Sequence, residues 1–395
     1  MNTPTRLLLN IAHAVDHMFL LIFATAVTKI TSDFGLARWE DMMPYSVGAF
    51  FMFGIGSMPS GKLGDSWGRR KMMVIFFIGM GVSAMFVAFT QSPWQIAIAL
   101  GLLGCFASIY HPVGIPMLLQ DAAKPGMTIG VNGLAGNLGI AVAALVTGLF
   151  VKYFGWRAAF FVPGLVSIVL GFVFMKVAPQ EMSAPAKKKA PASSTDRATM
   201  VRIVAVMTMT AITSSLVFNF TTNGNAELLR ERFQGVVEDP AMLGMMLAGV
   251  YVLASFAQLA VGSMLDRYPL KRVYLLVAMI QTPLFYIAAQ AQGWALLIAL
   301  VLFMISVFGA IPFTDALIVR YVDNSMRSRV SGVRLAISFG ISSIAVYLLG
   351  PVVKAKGFET LLYTMAIIGL ITLALVNFLP SDTNRSPRKL AASTA

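Results

Sequence analysis

Apolar residues run through this chain in blocks of roughly 20, the length a helix needs to cross the hydrocarbon core of a bilayer. Twelve such blocks can be marked, at about 6–30, 43–63, 72–90, 94–119, 128–151, 157–178, 201–223, 242–264, 272–290, 294–319, 329–353 and 358–379, and most of the charge lies between them. Six fall on each side of residue 190, where Ala184-Pro185-Ala186-Lys187-Lys188-Lys189-Ala190-Pro191-Ala192-Ser193-Ser194 is small, polar and broken by proline. That composition reads as a flexible linker. The pattern predicts a six-helix half over 1–180, a basic linker over 181–200, a second six-helix half over 201–380 and a disordered tail over 381–395. Asn223 to Pro240, with Glu227, Arg230, Glu231, Arg232, Glu238 and Asp239, is expected to be the longest connection on the side opposite the linker, with room for a short helical turn.

The halves repeat each other. Gly61-Lys62-Leu63-Gly64-Asp65-Ser66-Trp67-Gly68-Arg69-Arg70-Lys71 returns about two hundred residues later as Gly262-Ser263-Met264-Leu265-Asp266-Arg267-Tyr268-Pro269-Leu270-Lys271-Arg272. A second pair, Gly130-Val131-Asn132 with Gly139 and Gly332-Val333-Arg334 with Gly340, keeps the same offset. The expected fold class is therefore an all-α membrane protein of twelve transmembrane helices in two pseudo-symmetric six-helix halves. Paired halves are the build of secondary transporters, whose substrate site lies between them.

Composition agrees: 57% of residues are hydrophobic and only 12% charged, too few to cover a soluble surface of 395 residues. The formal charge of +13 raises the question of a nucleic-acid partner. Its distribution excludes one. Lys62, Arg69, Arg70, Lys71, Lys124, Lys187 to Lys189, Arg267, Lys271, Arg272, Arg320, Arg327, Arg329, Arg385, Arg388 and Lys389 fall in alternate loops, against fewer opposite, such as Lys29, Arg38, Lys152 and Lys354. This positive-inside bias implies that both termini are cytoplasmic. Cys105 is the only cysteine and lies in an apolar block, which excludes disulfides and thiolate metal sites. The first block follows Arg6 but is interrupted by His13, Asp16 and His17 and has no small-residue cleavage site, so it is expected to be a retained helix.

The Gly, Asp and basic cluster between the second and third blocks resembles the signature loop of the major facilitator superfamily, and the resemblance extends over the whole chain. Within that family, Phe106-Ala107-Ser108-Ile109-Tyr110-His111-Pro112 and Gly136-Asn137-Leu138-Gly139 are similar to the fosmidomycin-resistance subgroup of drug exporters. His13 and the polar pair after it also resemble that subgroup's first helix, with Asp16-His17 in place of an amide followed by an acid. The resemblance implies that helices one, four, seven and ten line a central cavity. It also implies that Asp65, Arg69, Arg70 and Asp266 form an inner gate.

Ionisable groups at membrane depth are costly and invite functional explanations. Asn10, His13, Asp16 and His17 share one face of the first helix. Asp16 beside His17 suits a site that couples proton binding to conformation, or an interhelical hydrogen-bond cluster that only orients the helix. His111 precedes Pro112, with Pro116 one turn on, in a helix expected to bend. Asp315 corresponds to His111 in the second repeat and Arg334 to Asn132. Both are expected at membrane depth, paired as a structural bridge or holding an anion or proton. Asn132, Asn137 and Asn219 complete the candidate cavity lining. Met242, Met245 and Met246 are accounted for by packing, although a soft-metal path through His13, His17 and thioethers is chemically possible.

No Walker loop, activated nucleophile or enzyme-type metal spacing is present, so neither catalysis nor a cofactor is expected. The expectation is a monomeric, multi-pass protein of the bacterial cytoplasmic membrane. It would be a proton-coupled secondary transporter moving a small anionic or drug-like compound, in the export direction. Uptake of an organic acid or transition metal through the same fold, or a non-transporting receptor, are the alternatives.

Overall fold

In a computed structural model the chain is described over residues 2–120, 122, 125–180, 197–322 and 324–380. Lys124, most of the expected linker (181–196) and the tail from 381 lie outside the described residues. The first half comprises α1 (Thr3–Asp33), α2 (Val47–Ser66), α3 (Arg69–Ala88), α4 (Pro93–Leu119), α5 (Pro125–Tyr153) and α6 (Trp156–Val177). The second comprises α7 (Arg197–Arg232), α8 (Pro240–Arg267), α9 (Leu270–Gln290) and α10 (Gly293–Tyr321), then one helical run, Asn324–Asn377, divided at Gly357 into α11 (324–356) and α12 (358–377). Among the described residues, ten helical segments are long and apolar enough to cross a membrane; the last holds both α11 and α12, and glycine-rich α2 completes the twelve.

Local chemistry sets the helix ends. Asn2 caps α1, its side-chain oxygen accepting from Thr5 N at 2.9 Å with Pro4 in the first turn. Gly68 turns α2 into α3 at φ 99°, a backbone conformation that a side chain disfavours. Gly357 at φ 76° does the same between α11 and α12.

Two expectations are corrected. Asn223 to Pro240 is not mainly a connection: α7 continues to Arg232, leaving a short turn before Asp239 caps α8. Of that segment's charged residues, Glu227, Arg230, Glu231 and Arg232 belong to α7, where Glu227 is buried and accepts from Thr28 (2.7 Å) and Arg230 (2.7 Å). Second, the two last blocks have no loop between them, since one positive-φ glycine makes the reversal.

Helices approach closely where glycines face them. A Cβ on Gly139 of α5 would lie 2.1 Å from the Ala14 carbonyl oxygen of α1, and one on Gly81 of α3 would lie 2.4 Å from the Gly164 carbonyl oxygen of α6. The halves meet along α5 and α8, where Gly148 faces Gly244, and along α2 and α11, where Gly54 faces Phe339. At the end of the bundle away from the α2–α3 loop, called distal here, Lys152 pairs with Asp239 (2.6 Å) and Asp41 with Lys354 (2.5 Å), both between halves. The hydrogen bond from Lys152 holds the Asp239 carboxyl below its usual range. That carboxyl therefore keeps its charge, and the pair its attraction, until pH falls through the lowered value.

Candidate functional site

The site grows out of a break in α4. Pro112 and Pro116 cannot donate, so carbonyls one turn earlier lose their partners, and the helix widens into a π turn over Tyr110–Gly114 before resuming at Ile115–Leu119. Tyr110 and His111 lie on this turn beside the polar face of α1. The Tyr110 hydroxyl donates to the Leu9 carbonyl at 2.9 Å, and the Asn132 amide of α5 donates to the Tyr110 oxygen (2.6 Å) and to Asn10 Oδ1 (3.0 Å). Three helices are thus tied at one level.

His13 stacks on Tyr110, and its Nδ1 lies 2.7 Å from the Asn132 carbonyl oxygen. A carbonyl only accepts, so Nδ1 carries the proton and the His13 Nε2 lone pair is free to accept. His17 Nε2 lies 3.1 Å from it, and one ring nitrogen from each of His13, His17 and His111 falls within 4.8 Å of the other two. Gly136 leaves room for this: a Cβ there would lie 2.7 Å from the His13 ring. Asp16 is fully buried, and neither carboxylate oxygen has a hydrogen-bond partner. The Nε2 of His111, 3.7 Å away, is an ion-pair partner only when protonated. A buried carboxylate so placed requires a proton or a cation.

His111 faces the other half. Its ring lies 5.7 Å from Phe53 of α2 and 5.9 Å from Phe339 of α11, and those two rings are 4.1 Å apart, centroid to centroid. Arg334, further along α11, pairs with Asp315 of α10 at 2.9 Å. The two side chains differ in enclosure: Asp315 is 52% exposed, against 21% for Arg334. The exposed acid tolerates loss better than the enclosed cation tolerates desertion. Asp315→Asn should therefore lower the melting temperature in detergent more than Arg334→Gln does. The double variant should recover stability relative to Asp315→Asn; simple addition of the two losses would show that the pair carries no coupling.

The remaining candidates lie elsewhere. Asn219 donates to Ser342 Oγ at 2.8 Å and to the Ser215 carbonyl at 2.9 Å, joining α7 to α11. Asn137 is buried with its amide nitrogen unpartnered. Asp65 is mostly exposed and pairs with Arg69 of its own half, at 3.9 Å. Arg70 donates to the Ala178 carbonyl at 2.9 Å and to that of Met175, at the end of α6. Asp266 lies in the last turn of α8. Tyr110, Phe53 and Phe339 were missed by sequence reasoning, because an aromatic residue in an apolar block carries no polar signal.

The family model of the Major Facilitator Superfamily matches residues 9–236 and again 234–394. The chain belongs to that superfamily. A multidrug resistance protein, MdtG, of Escherichia coli is 24% identical over 358 residues, covering 88% of this chain and 84% of the relative. A probable hexose phosphate transport protein of Chlamydia trachomatis is 28% identical over 172 residues, which span 42% of this chain but only 38% of the relative's length. A solved bacterial homologue of the human lysosomal transporter Spinster, inward-facing and unoccupied, superimposes with a TM-score of 0.71 at 15% identity, covering 96% of this chain and 95% of that one. That likeness establishes the fold. The superfamily's two six-helix halves are here joined at the distal end, with the histidine cluster between that end and the signature loop.

Proposed function

We infer that this superfamily member is a proton-coupled transporter that exports a small drug-like or anionic compound across the bacterial cytoplasmic membrane, as a monomer with both termini cytoplasmic. The observation that carries the reading is Asp16, a buried carboxylate without a hydrogen-bond partner, 3.7 Å from a histidine beside the seam between halves. Protonating it removes an uncompensated charge; deprotonating it restores one. Such a group biases any equilibrium that changes its solvation. The drug-resistance name of the Escherichia coli relative supports a drug-like compound. That of the Chlamydia relative, a hexose phosphate transport protein, supports an anion, which would compete with Asp315 for the Arg334 guanidinium.

With the signature loop cytoplasmic, the ion-paired distal end is external and held shut by these pairs. Rocking about the α5–α8 and α2–α11 seams would break the Lys152–Asp239 and Asp41–Lys354 pairs and open that end. Exposed pairs of this kind are individually weak, so they can exchange during a cycle. In a Cys105→Ala background, single cysteines at Ser66 and Gln234 should react with impermeant reagents from opposite faces of the membrane, with Ser66 internal. Labelling from one face would overturn the topology.

The functional test uses protein reconstituted in liposomes, with a panel of drugs and glucose 6-phosphate as the anionic probe. A pH gradient should drive accumulation of at least one probe, and the same probe should exchange at equal pH. No exchange of any panel member would favour a receptor.

A further inference from the structure

We propose that His13, His17 and His111, with Asp16, form a binding site for a divalent transition-metal ion of the zinc class. The inference goes beyond the transport reading and rests on the cluster's own geometry. One nitrogen from each of three imidazoles, on two helices, falls within 4.8 Å of the others, a span that narrows on binding for one ion at about 2.0–2.1 Å to take all three. The His13 and His17 Nε2 atoms are 3.1 Å apart. With zinc–nitrogen bonds of about 2.0–2.1 Å, that separation subtends an angle of about 100° at a shared ion, close to a tetrahedral bite.

The surroundings are those of a ligand set. His13 donates Nδ1–H to the Asn132 carbonyl at 2.7 Å, which fixes the tautomer that turns its Nε2 lone pair inward, and Tyr110 stacks on the ring to hold its plane. The second, independent observation is Asp16. It is fully buried, both oxygens lack hydrogen-bond partners, and one lies 3.7 Å from His111 Nε2. A carboxylate in that position supplies the anionic charge that three neutral imidazoles lack. Nitrogen and oxygen donors without thiolate select zinc, cobalt or nickel over softer ions. The nearby cation, Arg334, is neutralised by Asp315 at 2.9 Å and does not oppose the ion outright. Sequence spacing shows only His13 and His17, one turn apart on a helix; the π turn of α4 supplies the third imidazole.

The test uses full-length protein in detergent, stripped with chelator and titrated with Zn2+ alone at fixed neutral pH. One ion per chain should bind and raise the melting temperature with concentration. Co2+ should give the visible absorption of a four-coordinate complex. His17→Gln, His111→Gln and Asp16→Asn should each weaken Zn2+ binding about 10–100-fold or more while keeping a metal-free melting transition. If a variant does not fold, X-ray absorption of zinc-loaded wild type decides instead, with two or three imidazole scatterers expected. Absence of stoichiometric binding, binding unchanged in all three variants, or a zinc shell with fewer than two imidazoles would overturn the proposal. A wild type that moves an organic probe with a pH gradient yet binds no Zn2+ refutes this inference alone. Zn2+ binding in a protein that exchanges no probe refutes only the organic-compound reading.

Discussion

Asp16→Asn is expected to abolish concentrative transport while sparing exchange. The substitution is nearly isosteric and removes the charge from a pocket where neither oxygen is hydrogen-bonded, so the fold should persist. What is lost is the difference between a charged and a neutral state, the only means by which a proton gradient acts through this residue. One pH unit is worth about 1.4 kcal/mol per proton, enough to hold roughly a tenfold concentration ratio. Wild-type liposomes under that gradient should approach the ratio and the variant should stay near one, while exchange at equal pH persists. His111→Gln should show the same separation in weaker form, since His111 is the nearest ionisable partner of Asp16. A variant that still concentrates its substrate would move the coupling charge to Asp315.

Gly139→Val is expected to be among the most damaging single substitutions in the first half. Even the Cβ would stand 2.1 Å from the Ala14 carbonyl oxygen and 2.7 Å from Ala14 Cα, backbone atoms that cannot rotate away. α1 and α5 would have to part by about 1 Å, and the loss should reach the upper end of the roughly 1–3 kcal/mol typical of overpacking, or exceed it. Parting these helices also draws His13 from the Asn132 carbonyl that orients it. The matched control is Gly101 of α4, whose added Cβ meets nothing within 4 Å. Gly101→Ala should be neutral or stabilise by up to about 1 kcal/mol through helix propensity. Melting curves of both variants in detergent check the contrast, and equal behaviour would remove close packing as the role of Gly139.

The twelve spans could be read from the sequence because hydropathy and length are properties of each segment alone. The duplication could be read because Asp65 and Asp266, or Asn132 and Arg334, sit at matching offsets. Segment-level signals failed where satisfaction comes from another helix. Glu227 reads as a loop residue until Thr28 of α1 is seen to bind it. Within the site, the α1 stripe of Asn10, His13, Asp16 and His17 is visible as helical spacing. That His111 should meet it depends on a π turn, and that Asn132 orients His13 depends on a backbone carbonyl, for which no side-chain identity codes. Tyr110 is the clearest omission, since only packing reveals that its hydroxyl bridges α1 and α5.

All the donors of the cluster come from α1 and α4 and are oriented by the Asn132 carbonyl of α5, within one half of the molecule, while from α11 the Phe339 ring packs 5.9 Å from that of His111. An occupant held there is not shared between moving bodies. It is a passenger of one lobe, and binding it draws no bond tight across the seam. The other lobe can sense it only through the tilt of the His111 ring against Phe339 and through the field of Arg334. Tuning the bulk of residue 339 should therefore alter how fast the lobes exchange without altering how tightly the passenger is held.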